Sequence, residues 1–208
     1  MNKAHSSFVG TEGTWVEVLK APEQNSSARP ALFLDRDGTL IKDVHYLKNP
    51  EEVELIKGVG EALSRMSKAG FLLFMHTNQS GIARGYYDWD DVWACNLKMM
   101  KLIDMPENLF EKTCIAPEWP EKEGGYRKPS ARFEREMIEE LDLEKSKCWM
   151  IGDRWSDAQT GLLAGMRSAL VETGKPIDGN TRSDALASNV PIHSDLLEFA
   201  ERELGLEE

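Results

Sequence analysis

The sequence predicts an α/β fold in which helices cover both faces of a mostly parallel central sheet. Three observations carry that expectation. Short, near-continuous apolar runs recur along the chain, helix-period patterns lie between them, and Gly or polar residues flank each run. A strand that reads as an unbroken apolar run is buried on both faces, as strands of parallel sheets are. The arrangement expected is a Rossmann-like three-layer α/β/α sandwich.

The elements follow in order. Residues 1–30 read as an N-terminal extension or linker: residues 14–19 alternate weakly, as an edge strand would, and 22–29 are polar and linker-like. From Ala31 the texture changes, and residues 31–208 read as one domain. Residues 31–35 form the first apolar run. Val59, Leu63 and Met66 then recur at i, i+4 and i+7 before Gly70 stops the helix. Runs at 71–77, 111–116, 147–153 and 168–172 supply four further strands. Helical patterns at 92–105 and 131–141 lie between them, and the acidic stretch 194–208 reads as a final amphipathic helix. Too few residues separate the first strand from the helix near Gly58 for a large inserted cap domain, so a minimal cap or none is expected.

Composition narrows the function. The 208 residues carry 25 Lys and Arg against 36 Asp and Glu, a formal charge of −11. With 41% hydrophobic and 29% charged residues, this is a globular chain, not a collagen-like, disulfide-scaffold or disordered one. The acidic balance argues against a nucleic-acid partner, which needs a basic surface to displace counterions. It does not argue against a small anionic substrate, because a few local cations outweigh the global field at short range. No apolar run approaches the roughly 20 residues of a membrane span, so no membrane partner is expected. Cys95, Cys114 and Cys148 are widely spaced and form no C-x-x-C pair, which suits reduced thiols in the cytoplasm.

Ligands of such sheets bind beyond the carboxyl ends of the strands. Asp35-Arg36-Asp37-Gly38-Thr39 follows the first run and Thr77-Asn78-Gln79-Ser80-Gly81 the second. Arg127-Lys128-Pro129 comes after the third, and Gly152-Asp153-Arg154 with Asp157 closes the fourth. Two carboxylates two residues apart at a buried strand end repel unless a cation lies between them. A hard divalent ion does this well, and Asp153 completes an oxygen-rich set. The plainer alternative has Asp35 and Asp37 only capping a turn. Taken singly, Thr77 also fits a helix N-cap and Lys128 a solvated surface lysine.

Residues 33–40, with Thr77, Lys128, and Gly152-Asp153-Arg154 plus Asp157, resemble the four motifs of the haloacid dehalogenase superfamily of phosphatases. Thr77 to Gly85, Arg127-Lys128-Pro129 and Thr173-Gly174-Lys175-Pro176 are similar to its branch of heptose-bisphosphate phosphatases, with histidinol phosphatases as neighbours. The resemblance implies phosphomonoester hydrolysis, with Asp35 as nucleophile and Asp37 as general acid and base. It implies Mg²⁺ held by Asp35, the Asp37 backbone carbonyl and Asp153; Asp157 is expected to support this set, with direct coordination the alternative. Thr77, Asn78 and Lys128 would stabilise phosphate, and a small phosphorylated sugar or metabolite would be the partner. Ser80, Arg84 and Arg127 are candidates for substrate binding. For Arg84 and Arg127 an ordinary surface ion pair is the alternative, and for Asn78 and Ser80 a structural role in the turn. His45 and Tyr46 fall where the superfamily folds a small flap over the site.

Members of that branch also carry a structural zinc loop, Cys-x-His followed by Cys-x-Cys. Here Cys114-Ile115-Ala116 and Gly124-Gly125-Tyr126 occupy those places, and one surviving thiolate builds no tetrahedral site. No structural zinc is expected, and the loop from Pro117 to Tyr126 is expected to hold its shape through proline and aromatic packing. An enzyme of the same chemistry acting on histidinol phosphate or another small metabolite is the competing expectation. A non-catalytic anion-binding protein on the same scaffold is a more distant one.

Overall fold

The computed structural model describes residues 6–9, 15–18, 29–106, 108–119 and 124–207. Its strands are β1 (Ser6–Val9), β2 (Trp15–Val18), β3 (Ala31–Leu34), β4 (Leu72–Asn78), β5 (Lys112–Ala116), β6 (Trp149–Gly152), β7 (Arg167–Val171) and β8 (Ile192–His193). The helices are α1 (Val59–Lys68), α2 (Trp89–Ile103), α3 (Arg132–Glu140), α4 (Trp155–Ala164), α5 (Gly179–Ala187) and α6 (Leu196–Leu204). One sheet contains all eight strands, in the order β1-β2-β5-β4-β3-β6-β7-β8. From β5 to β8 every pairing is parallel. β1 and β2 add an antiparallel pair to the free side of β5. The stretch expected as an edge strand is thus β2, and β1 takes the edge outside it. The linker-like reading of 22–29 falls, apart from Arg29, outside the described residues.

Side-chain alternation along the strands divides the core into two layers. Leu32 and Leu34 of β3, with Leu73, Met75, Trp149 and Ile151, pack against α1, α2 and α6. Ala31 and Phe33, with Phe74, Cys114 and Met150, face α3 and the end of α4. A smaller cluster seats α5 against α4 and β7 through Ala185, Ala158 and Leu170. Phe33 stacks on Phe74 with ring centroids 4.6 Å apart, and Phe133 of α3 meets both edge-on. These are the three layers that the pattern of apolar runs implied.

Several boundaries differ from expectation for identifiable reasons. α2 begins at Trp89 rather than at residue 92, because Asp88 and Asp91 form a reciprocal capping box ahead of the apolar stripe. The run at 147–153 begins late as a strand, since Lys145–Lys147 close a 3-10 turn. Helices α4 and α5 gave no clear periodic signal. α4 buries small residues, Ala158, Gly161 and Ala164, and α5 buries only Ala185, so neither has a stripe of large apolar side chains.

The order of strands fixes the site. The chain runs from β3 outward through β4 and β5, then returns to the other side of β3 for β6, β7 and β8. The direction of travel reverses at β3, which opens a crevice at the carboxyl ends of β3, β4 and β6. No cap is inserted there. The segment between β3 and α1 holds one 3-10 turn, Pro50–Glu52, and isolated bridges joining Ile41 to Asp37 and Leu55.

Candidate active site

Asp35 immediately follows β3, and its N–H donates to the Ile151 carbonyl of β6 at 2.9 Å. Lys128, on the loop between β5 and α3, places Nζ 2.7 Å from Asp35 Oδ1 and 2.6 Å from Asp157 Oδ1. Asp157 is the third residue of α4, and its Oδ2 accepts the Arg154 N–H at 3.0 Å. Asp153, just beyond β6, accepts the Lys175 N–H on Oδ2 at 2.7 Å, while its buried Oδ1 has no hydrogen-bond partner. Carboxylate oxygens of Asp35, Asp153 and Asp157 lie within 4.8 Å of one another, all three side chains buried.

This grouping is short of positive charge. Burial, opposed by Lys128 and reinforced by Asp157, Asp153 and Asp37, pushes Asp35 up to about 8. Burial and the neighbouring Asp157 raise Asp153 to about 6. Burial would lower the Lys128 ammonium, but Asp157 and Asp35 more than reverse this and hold it above its ordinary range. One ammonium among three buried carboxylates, with the half-exposed Arg154 guanidinium 3.7 Å from Asp153 Oδ1, leaves room for a further cation, and that oxygen, which accepts no hydrogen bond, is the kind of donor a hard divalent ion takes. The residues present fit such an ion. Backbone geometry leaves space for this cluster at Gly38, whose φ of +88° suits glycine and where a Cβ would lie 2.5 Å from Asp153 Oδ2. Across the carboxylate, a Cβ on Gly174 would lie 2.1 Å from the same oxygen.

Asp37 lies outside that cluster. Arg36, only 1% exposed, grips its carboxylate through Nε to Oδ2 at 3.0 Å and Nη2 to Oδ1 at 3.1 Å. The third arm of the guanidinium donates to Asn96 Oδ1 on α2 at 2.8 Å. Gln79 Nε2 donates to Asp37 Oδ2 at 2.8 Å, and the Thr77 hydroxyl donates to the same oxygen at 3.3 Å. Tyr87 in turn donates to Gln79 Oε1 at 2.6 Å, which fixes the amide with its N–H side toward Asp37.

These groups line a cavity of about 350 Å³. Asp35, Asp37, Thr77, Asn78, Ser80, Arg84, Arg127 and Lys128 all reach its wall, so the residues singled out in the sequence converge, with Asp153 just behind. Their tasks are more finely divided than expected. Both polar atoms of the Asn78 amide are engaged with the Lys128 backbone, accepting its N–H at 2.9 Å and donating to its carbonyl at 3.1 Å. Asn78 therefore holds the lysine in place, where a phosphate contact was expected. Arg84 lies over the Trp119 ring, 4.6 Å from its centroid, at the mouth. On the opposite wall Asp43 pairs with Arg154 at 3.2 Å and Lys175 at 2.8 Å, and His45 and Tyr46 continue that flap.

Sequence reasoning passed over Arg36, Gln79, Tyr87, Asp43 and Arg154. Arg36, Gln79 and Arg154 stood inside the motifs already quoted, and a polar residue within two positions of the end of a buried strand was the available signal. Tyr87 and Asp43 gave none, since both come from connecting loops. The loop from Pro117 to Tyr126 is held at its described ends by polar contacts as well as rings. Buried Glu118 accepts the Tyr126 N–H at 2.9 Å, and Arg132 stacks on Tyr126 at 4.3 Å.

Acid groups at the ends of β3 and β6 around a buried lysine, on a sheet that reverses at β3, form the frame of a phosphate-ester hydrolase. Residues 125–198 match the family model described as HAD-hydrolase-like, and the chain belongs to the haloacid dehalogenase-like family of phosphatases. Among its relatives is the D-glycero-beta-D-manno-heptose-1,7-bisphosphate 7-phosphatase of Haemophilus ducreyi, 33% identical over 172 residues that cover 78% of this chain and 94% of the relative. The D-glycero-D-manno-heptose-1,7-bisphosphate 7-phosphatase of Chlorobaculum tepidum is 36% identical over 156 residues, 69% of this chain and 78% of that protein. In three dimensions the chain is similar to the D,D-heptose 1,7-bisphosphate phosphatase of B. bronchiseptica complexed with magnesium and phosphate. That match has a TM-score of 0.72 at 28% identity and covers 84% of this chain and 98% of the other.

Proposed function

We propose that residues 31–208 hydrolyse a small sugar phosphate through an aspartyl-phosphate on Asp35, and that the substrate is D-glycero-D-manno-heptose 1,7-bisphosphate, which loses its 7-phosphate. The observation that carries the mechanism is the buried Asp35–Lys128–Asp157 bridge beside an Asp153 oxygen that accepts no hydrogen bond. Asp35 attacks phosphorus and the P–O bond to the sugar breaks; Asp37 gives its proton to the departing oxygen. Asp37 then takes a proton from the water that cleaves the aspartyl-phosphate, which returns Asp35 and releases inorganic phosphate. Lys128 offsets the charge of Asp35 and of the transferring group together, and the Thr77 hydroxyl is within reach to donate to phosphate oxygens. Asp35, Asp153 and the Asp37 carbonyl would hold Mg²⁺, which when bound supplies positive charge to the equatorial oxygens.

The substrate assignment draws on the names of the relatives and on the basic side chains at the cavity mouth. Arg84 and Arg127 line the wall, and a guanidinium fork suits a second phosphate. Ser80 lines the same wall and would meet sugar hydroxyls. The three cysteines are free and buried, which supports a reducing compartment and hence the cytoplasm. No helix among the described residues is long and apolar enough to cross a membrane.

The test is phosphate release from a panel of heptose bisphosphates, histidinol phosphate and an aryl phosphate, with Mg²⁺ and with chelator. Asp35→Asn is expected to lower kcat by about 10³-fold or more. Turnover that survives this substitution, or that ignores chelation, overturns the mechanism. A best substrate other than a heptose bisphosphate overturns the narrower assignment.

A further inference from the structure

His76 lies in the middle of β4, a strand otherwise apolar up to Thr77, and is fully buried. Its Nδ1 stands 2.6 Å from Oε1 of Glu134, an equally buried residue on the inner face of α3. Its Nε2 stands 2.9 Å from the backbone carbonyl of Tyr126. A carbonyl oxygen only accepts, so Nε2 carries a proton, and a second proton lies between Nδ1 and Glu134. The Tyr126 N–H is held as well, by buried Glu118 at 2.9 Å. Both backbone polar groups of Tyr126 are thus fixed from the protein interior.

Two residues along β4, on the same face of the strand, Asn78 does the same for Lys128. The loop carrying the lysine is therefore pinned at Tyr126 and again at Lys128. From that anchorage the ammonium spans Asp35 and Asp157 at 2.7 and 2.6 Å. A buried ionisable pair is a poor way to gain stability, since apolar residues of similar volume pack as well or better. What the His76–Glu134 pair supplies, and an apolar pair does not, is one N–H aimed at the Tyr126 carbonyl.

We propose that His76 and Glu134 are positioning residues for Lys128: Glu134 fixes the ring and proton of His76, and His76 fixes the loop that sets the ammonium against Asp35. The inference rests on the reading of Lys128 as the cation at the reacting phosphate. A purely structural pair would affect stability and leave turnover in the folded protein alone.

The double variant His76→Val/Glu134→Leu removes the pair while filling its volume. It is compared with the parent by thermal unfolding, by backbone hydrogen exchange over residues 125–130, and by kcat and KM for an aryl phosphate with Mg²⁺. The expected result is an unchanged or higher Tm, exchange about tenfold faster over that segment, and kcat lower by about 10²-fold with KM within a few-fold. A folded double variant with parental exchange, or with kcat within a few-fold of the parent, overturns the proposal. A second pair of variants decides the matter should the double variant fail to fold. His76→Gln carries an amide N–H to the place of Nε2, whereas His76→Asn falls short of it. Retained kcat in the first and about 10²-fold loss in the second are expected, and equal values overturn the proposal. If the parent itself hydrolyses no phosphate ester, the phosphatase mechanism fails, and the exchange measurement still decides whether the pair anchors the loop.

Discussion

Asp35 and Asp153 keep their protons at pH values where ordinary carboxylates have lost them, and this gives the metal-free protein a distinctive pH response. Burial among neighbouring carboxylates pushes Asp35 up from its ordinary 3.8 to about 8, and Asp153 from the same value to about 6. Between those limits the folded state binds more protons than the unfolded one, so stability falls as pH rises. In chelator, these two groups are expected to make Tm drop steadily from pH 5 toward pH 8. Mg²⁺ binding displaces the same protons, so its stabilising effect should grow over that window. Melting curves at four pH values, with and without Mg²⁺, check both slopes; a Tm that rises with pH in chelator contradicts the first. Asp35, Asp37 and Asp153 were legible because a polar residue just past an apolar run has few structural reasons to be there, whereas Lys128, well beyond the end of β5, was legible only through the resemblance of Arg127-Lys128-Pro129 to the family motif. His76 and Glu134 were not. They meet each other inside the core, and sequence displays only an isolated polar residue in an apolar pattern, with no pointer to its partner 58 positions away.

At the level of elements, β3, β4 and α3 meet through Phe33, Phe74 and Phe133, and this aromatic contact is what sets α3 and its preceding loop against the sheet. Truncating Phe74→Ala removes a buried ring with two ring neighbours and is expected to cost about 3–5 kcal/mol in denaturant unfolding. A cost under about 1 kcal/mol would mean that the cavity closes and the contact is dispensable. At the start of α2, Asp88→Ala breaks the capping box, with an expected cost of about 1 kcal/mol measured the same way. Elements with large apolar stripes, α1 and α3 among them, could be read from residue spacing. α4 could not, because its contacts are made by alanine and glycine, and its Asp157 points to the site instead of solvent. Sequence spacing reports burial of bulky side chains; a helix that packs by close approach of its backbone leaves no such trace.

For the molecule as a whole, the sheet reaches past the domain expected from residue 31. β2 covers the side of β5 not occupied by β4, and β1 covers β2. Deleting residues 1–28 would bare the backbone donors and acceptors of β5, an open edge of the kind through which chains associate. Light scattering is expected to show the truncated protein self-associating while the parent, under the same conditions, does not; equal scattering would mean that the edge is protected in another way. The parallel core was legible as a whole because the apolar runs are evenly interleaved with helices, whereas the antiparallel pair was read only in part, from one weakly alternating stretch. The return of the chain across β3 has a last consequence, one of timing. Thr173 donates to the Gly38 carbonyl across 135 residues of sequence, and Arg154 reaches Asp43 across 111. Loops of that size close slowly. No early, locally folded fragment holds Asp35, Lys128 and Asp153 together, so during refolding phosphatase activity should return only with the final event, the docking of β6 and β7 beside a completed β3–β5 half.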